Sequence, residues 1–132
     1  MKLTGVAAKL PEHEQQEIIR TAAEIGVPAA FLAAIRLAEN GRPGRDFGVL
    51  SENADTYEAQ CRIAALSIRN NIYRFCVRFK EWPTNAQGEL SDAFTKFMGS
   101  RWAPIGVEND PTNLNRHWPK NVYDAYTGSG VA

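Results

Sequence analysis

Apolar side chains recur at every third or fourth position in five stretches of the chain, which is the spacing of amphipathic helices. The longest stretch predicts one helix whose apolar stripe consists of Tyr57, Cys61, Ala64, Ile68, Ile72, Phe75 and Phe79. Asp55 and Glu58 stand at its start in the pattern of a capping box, with the aspartate as the N-cap. Because the apolar face is so wide, we expect this helix to lie in the hydrophobic core.

Four shorter helices are predicted around the long one. They are expected to run from Pro11 to Gly26, from Pro28 to Glu39–Gly41, from Ser91 to Gly99–Ser100, and from Trp118 to Tyr126. Proline suits a first helical turn and serine suits an N-cap, which supports these starting points. Between the second helix and the long one, residues 41–54 are rich in turn-forming residues but include the apolar Phe47, Val49 and Leu50. This segment predicts a short irregular or β element that lies against the core.

The whole pattern predicts a mainly α fold, with about five helices around a long central helix. A chain of 132 residues suits a single hydrophobic core, so we expect one domain over residues 1–132. Residues 1–10 are expected to be a lead-in to the first helix. Residues 128–132 are expected to be frayed, because a Gly-Ser-Gly run near a chain end has little to hold it in place.

Charge and ligand-forming residues narrow the possible functions. Fifteen basic residues balance 15 acidic ones, which gives no global attraction to nucleic acid or to an anionic membrane. With only two cysteines and two histidines, we expect no metal site and no cofactor. No apolar run approaches the roughly 20 residues that span a bilayer. The first residues lack the apolar core of a signal peptide, so we expect synthesis in the cytoplasm and, if export occurs, a route other than ordinary secretion.

The first two helices allow a competing interpretation as a DNA-binding helix-turn-helix. Residues 21–41 have the required spacing of small and apolar positions around a short turn. The second helix would be the recognition helix, but its first residues, Pro28 to Leu32, offer no hydrogen-bond donors for bases or phosphates. We therefore expect no nucleic-acid partner.

Glu39 is the residue whose position suggests chemistry. On a helix, Phe31, Ile35 and Glu39 fall on one face, so the carboxylate lies beside the apolar stripe. It also stands at the negative end of the helix dipole, and both effects favour the protonated form that a general acid needs near neutral pH. The alternative is a solvated glutamate at a helix end that Asn40 and Gly41 merely cap.

The residues around Glu39 also resemble a known signature. Glu39-Asn40-Gly41, followed by Phe47-Gly48-Val49-Leu50-Ser51, is similar to the signature of lysozyme-like lytic transglycosylases. In that superfamily a helix ends on Glu followed by Ser or Gly, and a Gly-Leu-Met-Gln-like segment returns to the floor of the cleft. Here Asn40 replaces the serine, and Leu50-Ser51 stands where Met-Gln would be.

A later part of the chain carries a weaker resemblance. Trp102-Ala103-Pro104, Asn109-Asp110-Pro111 and Trp118 are similar to the aromatic-Ala…Asp-Pro…aromatic run of related glucosaminidases. No Ala-Tyr-Asn motif is recognisable, so the tyrosine that usually accompanies the acid is unassigned. The small chain without a signal peptide resembles peptidoglycan-cleaving proteins of phages and prophages most.

The resemblance implies a lysozyme-like fold that cleaves the β-1,4 bond between N-acetylmuramic acid and N-acetylglucosamine, with Glu39 as general acid and base. A hydrolase would need a second carboxylate, for which Asp46, Glu52 and Asp55 are candidates, although no spacing compels the choice. A lytic transglycosylase needs only one acid, so this route is favoured over hydrolysis. The alternative is a virion or wall-binding module that keeps the fold without catalysis.

Further expectations concern binding and location. Phe47, Ser51, Trp102 and Asn115 are the candidates for sugar binding by their positions in the matched segments, while each aromatic suits the core equally well. Trp82 and Trp118 are assigned to the core. The resemblance implies peptidoglycan glycan strands as partners, together with phage virion or pore proteins. We expect a monomer without membrane insertion that is made in the bacterial cytoplasm and acts on the wall after release or as a virion component.

Overall fold

The computed structural model describes residues 1–51, 53–103 and 114–132. Within these ranges the chain forms five α-helices and two short strands. In chain order they are β1 (Leu3–Gly5), α1 (Glu12–Ile25), α2 (Ala29–Glu39), α3 (Tyr57–Phe79), α4 (Asp92–Trp102), α5 (Trp118–Thr127) and β2 (Ser129–Val131). Short 3₁₀ turns, Val6–Lys9 and Leu114–His117, precede α1 and α5. The prediction of a mainly α fold is confirmed.

The most enclosed helix is α2. Its six consecutive residues 30–35 are all buried, and the helix packs against α5, α1 and α3. A DNA recognition helix has to expose the side chains of its first turns, so this burial argues against the helix-turn-helix interpretation of α1 and α2. Although α2 is apolar, no helix in the described ranges is both long and apolar enough to cross a bilayer.

The longest helix, α3, buries one face and exposes the other. Its N-cap is Thr56, whose hydroxyl accepts a hydrogen bond from the Ala59 N–H at 3.1 Å, so the helix begins one residue later than the predicted cap at Asp55. Its C-cap is Lys80, which adopts the left-handed conformation with φ of 56°. Trp82 follows and is 80% exposed, so its assignment to the core is wrong.

The two chain ends form the only strand pair in the described part of the chain. β1 and β2 are antiparallel, with Leu3 opposite Val131, and the Lys2 N–H donates to the Ala132 carbonyl at 2.9 Å. Gly5 permits this approach, because a Cβ there would lie 2.1 Å from the Gly128 carbonyl oxygen. The prediction that residues 128–132 are frayed is therefore wrong. Backbone hydrogen bonds hold them to the residues that were expected to be a lead-in.

The hydrophobic core is continuous from β1 to α5. At its centre the ring of Phe31 lies against Phe94 and Tyr126, with ring centroids 5.8 and 5.1 Å away. The Tyr126 hydroxyl accepts the Leu90 N–H at 3.1 Å, so this aromatic cluster also fixes the chain before α4. The core therefore joins α2, α4 and α5, the three helices whose ends meet at Glu39, Trp102 and Trp118.

Candidate functional site

Glu39 is the last residue of α2 and lines a cleft. After it the chain turns sharply, because Asn40 takes the left-handed conformation with φ of 43° and donates its N–H to the Arg36 carbonyl at 2.9 Å. The cleft has a volume of about 490 Å³. Its described lining consists of Glu39, Gly48, Val49, Leu50, Ile63, Trp102, Ala103 and Asn115. The predicted acid thus stands at the wall of a cleft.

Two indole groups contact the Glu39 carboxyl group. The Trp118 indole donates its Nε1–H to Glu39 Oε1 at 2.8 Å, and the Trp102 side chain is a second hydrogen-bonding partner of the carboxyl group. Burial raises the pKa of Glu39 above its usual value, while these two hydrogen bonds lower it by stabilising the anion. Burial is the larger effect, so the pKa is raised. The direction agrees with the expectation from the sequence.

Gly48 lies directly against the other oxygen of Glu39. A Cβ on Gly48 would stand 1.7 Å from Glu39 Oε2 and 2.5 Å from its Cδ. Both distances are too short for non-bonded atoms, so no side chain fits at this position. The φ of Gly48 is +77°, a conformation that also favours glycine. The glycine segment, residues 47–51, therefore touches the carboxylate only because position 48 has no side chain.

Gln60 on α3 holds the glycine segment in place. Its Oε1 accepts the N–H groups of Phe47 and Val49 at 3.2 and 3.1 Å. Its Nε2 donates to the carbonyls of Val49 and Ala54 at 2.8 and 2.5 Å. The side chain is fully buried. The sequence analysis did not identify Gln60. A signal was present, because a polar side chain lies three positions after Tyr57 in an otherwise apolar stripe.

Gly99 allows Trp118 to approach α4. A Cβ at Gly99 would lie 2.9 Å from Pro119 Cγ and 3.1 Å from Trp118 Cε3. Trp118 itself is 5% exposed, as expected of a core residue, yet its indole N–H faces the site. The start of α5 is therefore packed on α4 so closely that the direction of the Trp118 ring is fixed.

Of the four residues predicted to bind sugar, two line the cleft and two do not. Trp102 and Asn115 both line the cleft with Glu39. Phe47 is fully buried, with its ring centroid 5.2 Å from that of Tyr57, so it cannot stack on a sugar and this prediction is wrong. Ser51 is exposed but lies outside the lining of the cleft.

Of the three candidates for a second carboxylate, the structure describes two, Asp46 and Asp55, and neither lines the cleft. Asp46 is 8% exposed, and its Oδ1 accepts the Gly44 N–H at 3.1 Å, which is a turn-stabilising role. Asp55 is exposed at the start of α3. Glu52 lies outside the described residues, as do Pro104 and the Asn109–Pro111 part of the weaker resemblance. Among the residues that are described, Glu39 is the only carboxylate in the cleft lining.

The arrangement suits proton transfer to and from a ligand. A carboxyl group with a raised pKa keeps its proton nearer to neutral pH, and the indole donors stabilise the anion left after the proton is given away. Within the ranges described, no cluster of three or more His, Cys, Asp or Glu could hold a metal ion. No protein-family model, no curated protein and no solved structure matches the chain.

Proposed function

We propose that the protein cleaves peptidoglycan glycan strands at the β-1,4 bond between N-acetylmuramic acid and N-acetylglucosamine, in a lysozyme-like fold. The observation that carries the proposal is the Glu39 carboxyl group. It is partly buried, has a raised pKa, and is fixed at a cleft by Trp118 and Gly48. Its place at the end of one helix, with a glycine segment returning beside it, corresponds to the resemblance found in the sequence.

In the first step Glu39 donates its proton to the oxygen of the glycosidic bond. The bond between that oxygen and the anomeric carbon of the muramic acid breaks, and positive charge develops on the sugar ring. The Trp118 indole N–H, 2.8 Å from Oε1, then stabilises the carboxylate that has formed. The leaving sugar departs with the proton, so charge and atoms balance.

In the second step the carboxylate of Glu39 acts as the base. It takes the proton from the 6-hydroxyl of the muramic acid while that oxygen bonds to the anomeric carbon and closes an anhydro ring. We favour this transglycosylase route over hydrolysis because Glu39 is the only carboxylate that the described residues place in the cleft lining. A hydrolase would need a second carboxylate about 5–9.5 Å away.

The cleft offers both polar and apolar surface for a glycan. Asn115 can hydrogen-bond hydroxyl or acetamido groups, and Trp102 presents a partly exposed indole. Leu50 and Ile63, which are 65% and 36% exposed, form an apolar part of the wall suited to acetamido methyl groups or a sugar face. These four side chains would hold the strand while Glu39 transfers the proton.

Release of dye-labelled fragments from purified peptidoglycan sacculi tests the proposal. The wild-type chain should release fragments, and Glu39→Gln should lower the rate by about 100-fold or more, because a general acid contributes that much. Glu58→Gln is the matched control, since Glu58 is exposed on α3 and lies outside the cleft lining. Equal rates for Glu39→Gln and the wild type would remove Glu39 from the mechanism. Binding to sacculi without any release would instead indicate a non-catalytic wall-binding module.

A further inference from the structure

We infer that the C-terminal end of α3 forms a peripheral binding surface for anionic phospholipid bilayers. This basic-aromatic patch consists of Tyr73, Arg74, Val77, Arg78, Lys80 and Trp82. It is a surface separate from the cleft, and it would operate whether or not Glu39 cleaves glycans. The occupant is the headgroup layer of a bilayer, which aromatic rings enter and which basic side chains contact.

Four of the nine large apolar side chains that are exposed in the described part of the chain lie together at this helix end. Trp82 is 80% exposed, Val77 70% and Tyr73 66%. Phe79 is also 45% exposed, although its ring packs on Phe97 at 5.8 Å between centroids. Exposed apolar residues scattered singly need no explanation, but a cluster at one helix end indicates an interaction surface.

Basic residues are concentrated at the same place. Between residues 69 and 82 there are four basic residues, Arg69, Arg74, Arg78 and Lys80, and one acidic residue, Glu81, while the whole chain has a formal net charge of zero. None of the four makes an ion pair with any residue that the structure describes. The local excess of positive charge is therefore available to an external anion.

The backbone brings these side chains to one side of the molecule. Tyr73 and Val77 are four residues apart on α3 and thus neighbours on its outer face, away from the buried Phe75. Lys80 ends the helix in a left-handed conformation, and the chain turns so that Trp82 lines a shallow cavity of about 300 Å³ with Cys76, Lys80 and Glu81. Trp82 consequently lies at the helix end rather than far from it.

The chemistry of the patch favours a bilayer surface over a protein groove. Tyrosine and tryptophan are enriched at the headgroup level of membranes, because each ring has an apolar part that contacts the acyl chains and a polar group that contacts water. Arginine and lysine beside them attract anionic headgroups within a Debye length. The patch is also remote from catalysis, because Tyr73 is ten residues after Ile63 of the cleft wall, about 15 Å along the helix.

Co-sedimentation of the purified full-length chain with vesicles tests the inference. Vesicles of equal parts phosphatidylglycerol and phosphatidylcholine should bind the chain at low salt, and pure phosphatidylcholine vesicles should not. The double variant Arg74→Gln/Arg78→Gln should lower the partition coefficient by about tenfold or more. Lys2→Gln/Lys9→Gln removes the same number of charges from exposed sites elsewhere and should change it by less than about twofold.

Tryptophan emission separates a bilayer from a soluble anionic partner. On adding the anionic vesicles, emission should shift to the blue because Trp82 enters the headgroup layer, and Trp82→Phe should abolish the shift. Circular dichroism would confirm that the variants are folded, which is expected because each replaced side chain is exposed. The inference is overturned if anionic vesicles do not bind. It is also overturned if both double variants bind equally, or if soluble polyphosphate competes fully and no blue shift occurs.

Discussion

Gly48 and the carboxylate of Glu39 are in direct contact, and a methyl group on Gly48 would stand 1.7 Å from Glu39 Oε2. The end of α2 and the glycine segment are therefore one structural unit, although eight residues separate the two positions in the chain. The carboxylate lies between this backbone and the Trp118 indole, so its place is set from both sides.

Gly48→Ala should lower glycan cleavage by at least about tenfold, because the new methyl group must displace the Glu39 carboxylate from its position. The matched control is Gly88→Ala. Gly88 has the same φ of +77° as Gly48, but a Cβ there meets nothing within 4 Å. Both variants should lose about 1–2 kcal/mol of stability from the left-handed backbone. Cleavage rates measured on folded protein should therefore be low for Gly48→Ala and close to the wild type for Gly88→Ala. Similar rate losses in both variants would show that backbone strain, and not displacement of the carboxylate, lowers the rate.

Gln60→Met should destabilise the fold by about 2–4 kcal/mol, because four backbone groups of residues 47–54 lose their buried partner. Urea unfolding measures this change. Gln16→Met, at an exposed position of α1, should shift the unfolding midpoint very little. If the Gln60 variant is as stable as the wild type, the glycine segment is held by something other than this side chain.

Trp118→Phe should raise the pKa of Glu39 further, since the indole N–H that stabilises the anion is removed while burial remains. Carbon-13 NMR of labelled glutamate side chains would measure the titration without any assay of activity. Trp82→Phe serves as the control, because Trp82 is 80% exposed at the end of α3. A lower pKa in the Trp118 variant would contradict the assigned role of the hydrogen bond.

Glu39→Gln should stabilise the protein at neutral pH relative to the wild type. Because the pKa of Glu39 is raised by folding, the folded state binds the proton more tightly than the unfolded state does. The stability that comes from protonation of Glu39 is fully present below the pKa of this group in the unfolded state, about 4.3. It is lost as the pH rises through the pKa of Glu39 in the folded state. The free energies of unfolding of Glu39→Gln and the wild type should therefore differ least in acid and most above the pKa of Glu39 in the folded state. A gap that shrinks as pH rises would contradict the raised pKa.

Local signals in the sequence located the five helices, with errors of a few residues at some of their ends. Gly26, in the left-handed conformation, ends α1 as expected, Ser91 caps α4, and Pro119 lies in the first turn of α5. Each of these features acts within a few residues of its own position, so one sequence contains the whole of the information. The strands at the chain ends have only three residues each and include glycine or serine, so no periodicity marks them.

Contacts between distant positions were not predictable in the same way. Trp118 lies 79 residues after Glu39, and nothing in the local pattern showed that its indole N–H would face the carboxylate. Phe47 and Trp82 are both aromatic residues in non-helical segments, yet one is fully buried and the other 80% exposed. Aromatic side chains suit cores and binding surfaces alike, so only the packing of the helices distinguishes the two outcomes.

The most direct test of the central claim is mass spectrometry of the fragments that the chain releases from purified sacculi. The wild type should release muropeptides with anhydro-muramic ends, and Glu39→Gln should release about 100-fold fewer at equal protein concentration. Fragments with ordinary reducing ends would contradict the one-carboxylate route. No glycan fragments from the wild type, or the same yield from Glu39→Gln, would contradict glycan cleavage by Glu39.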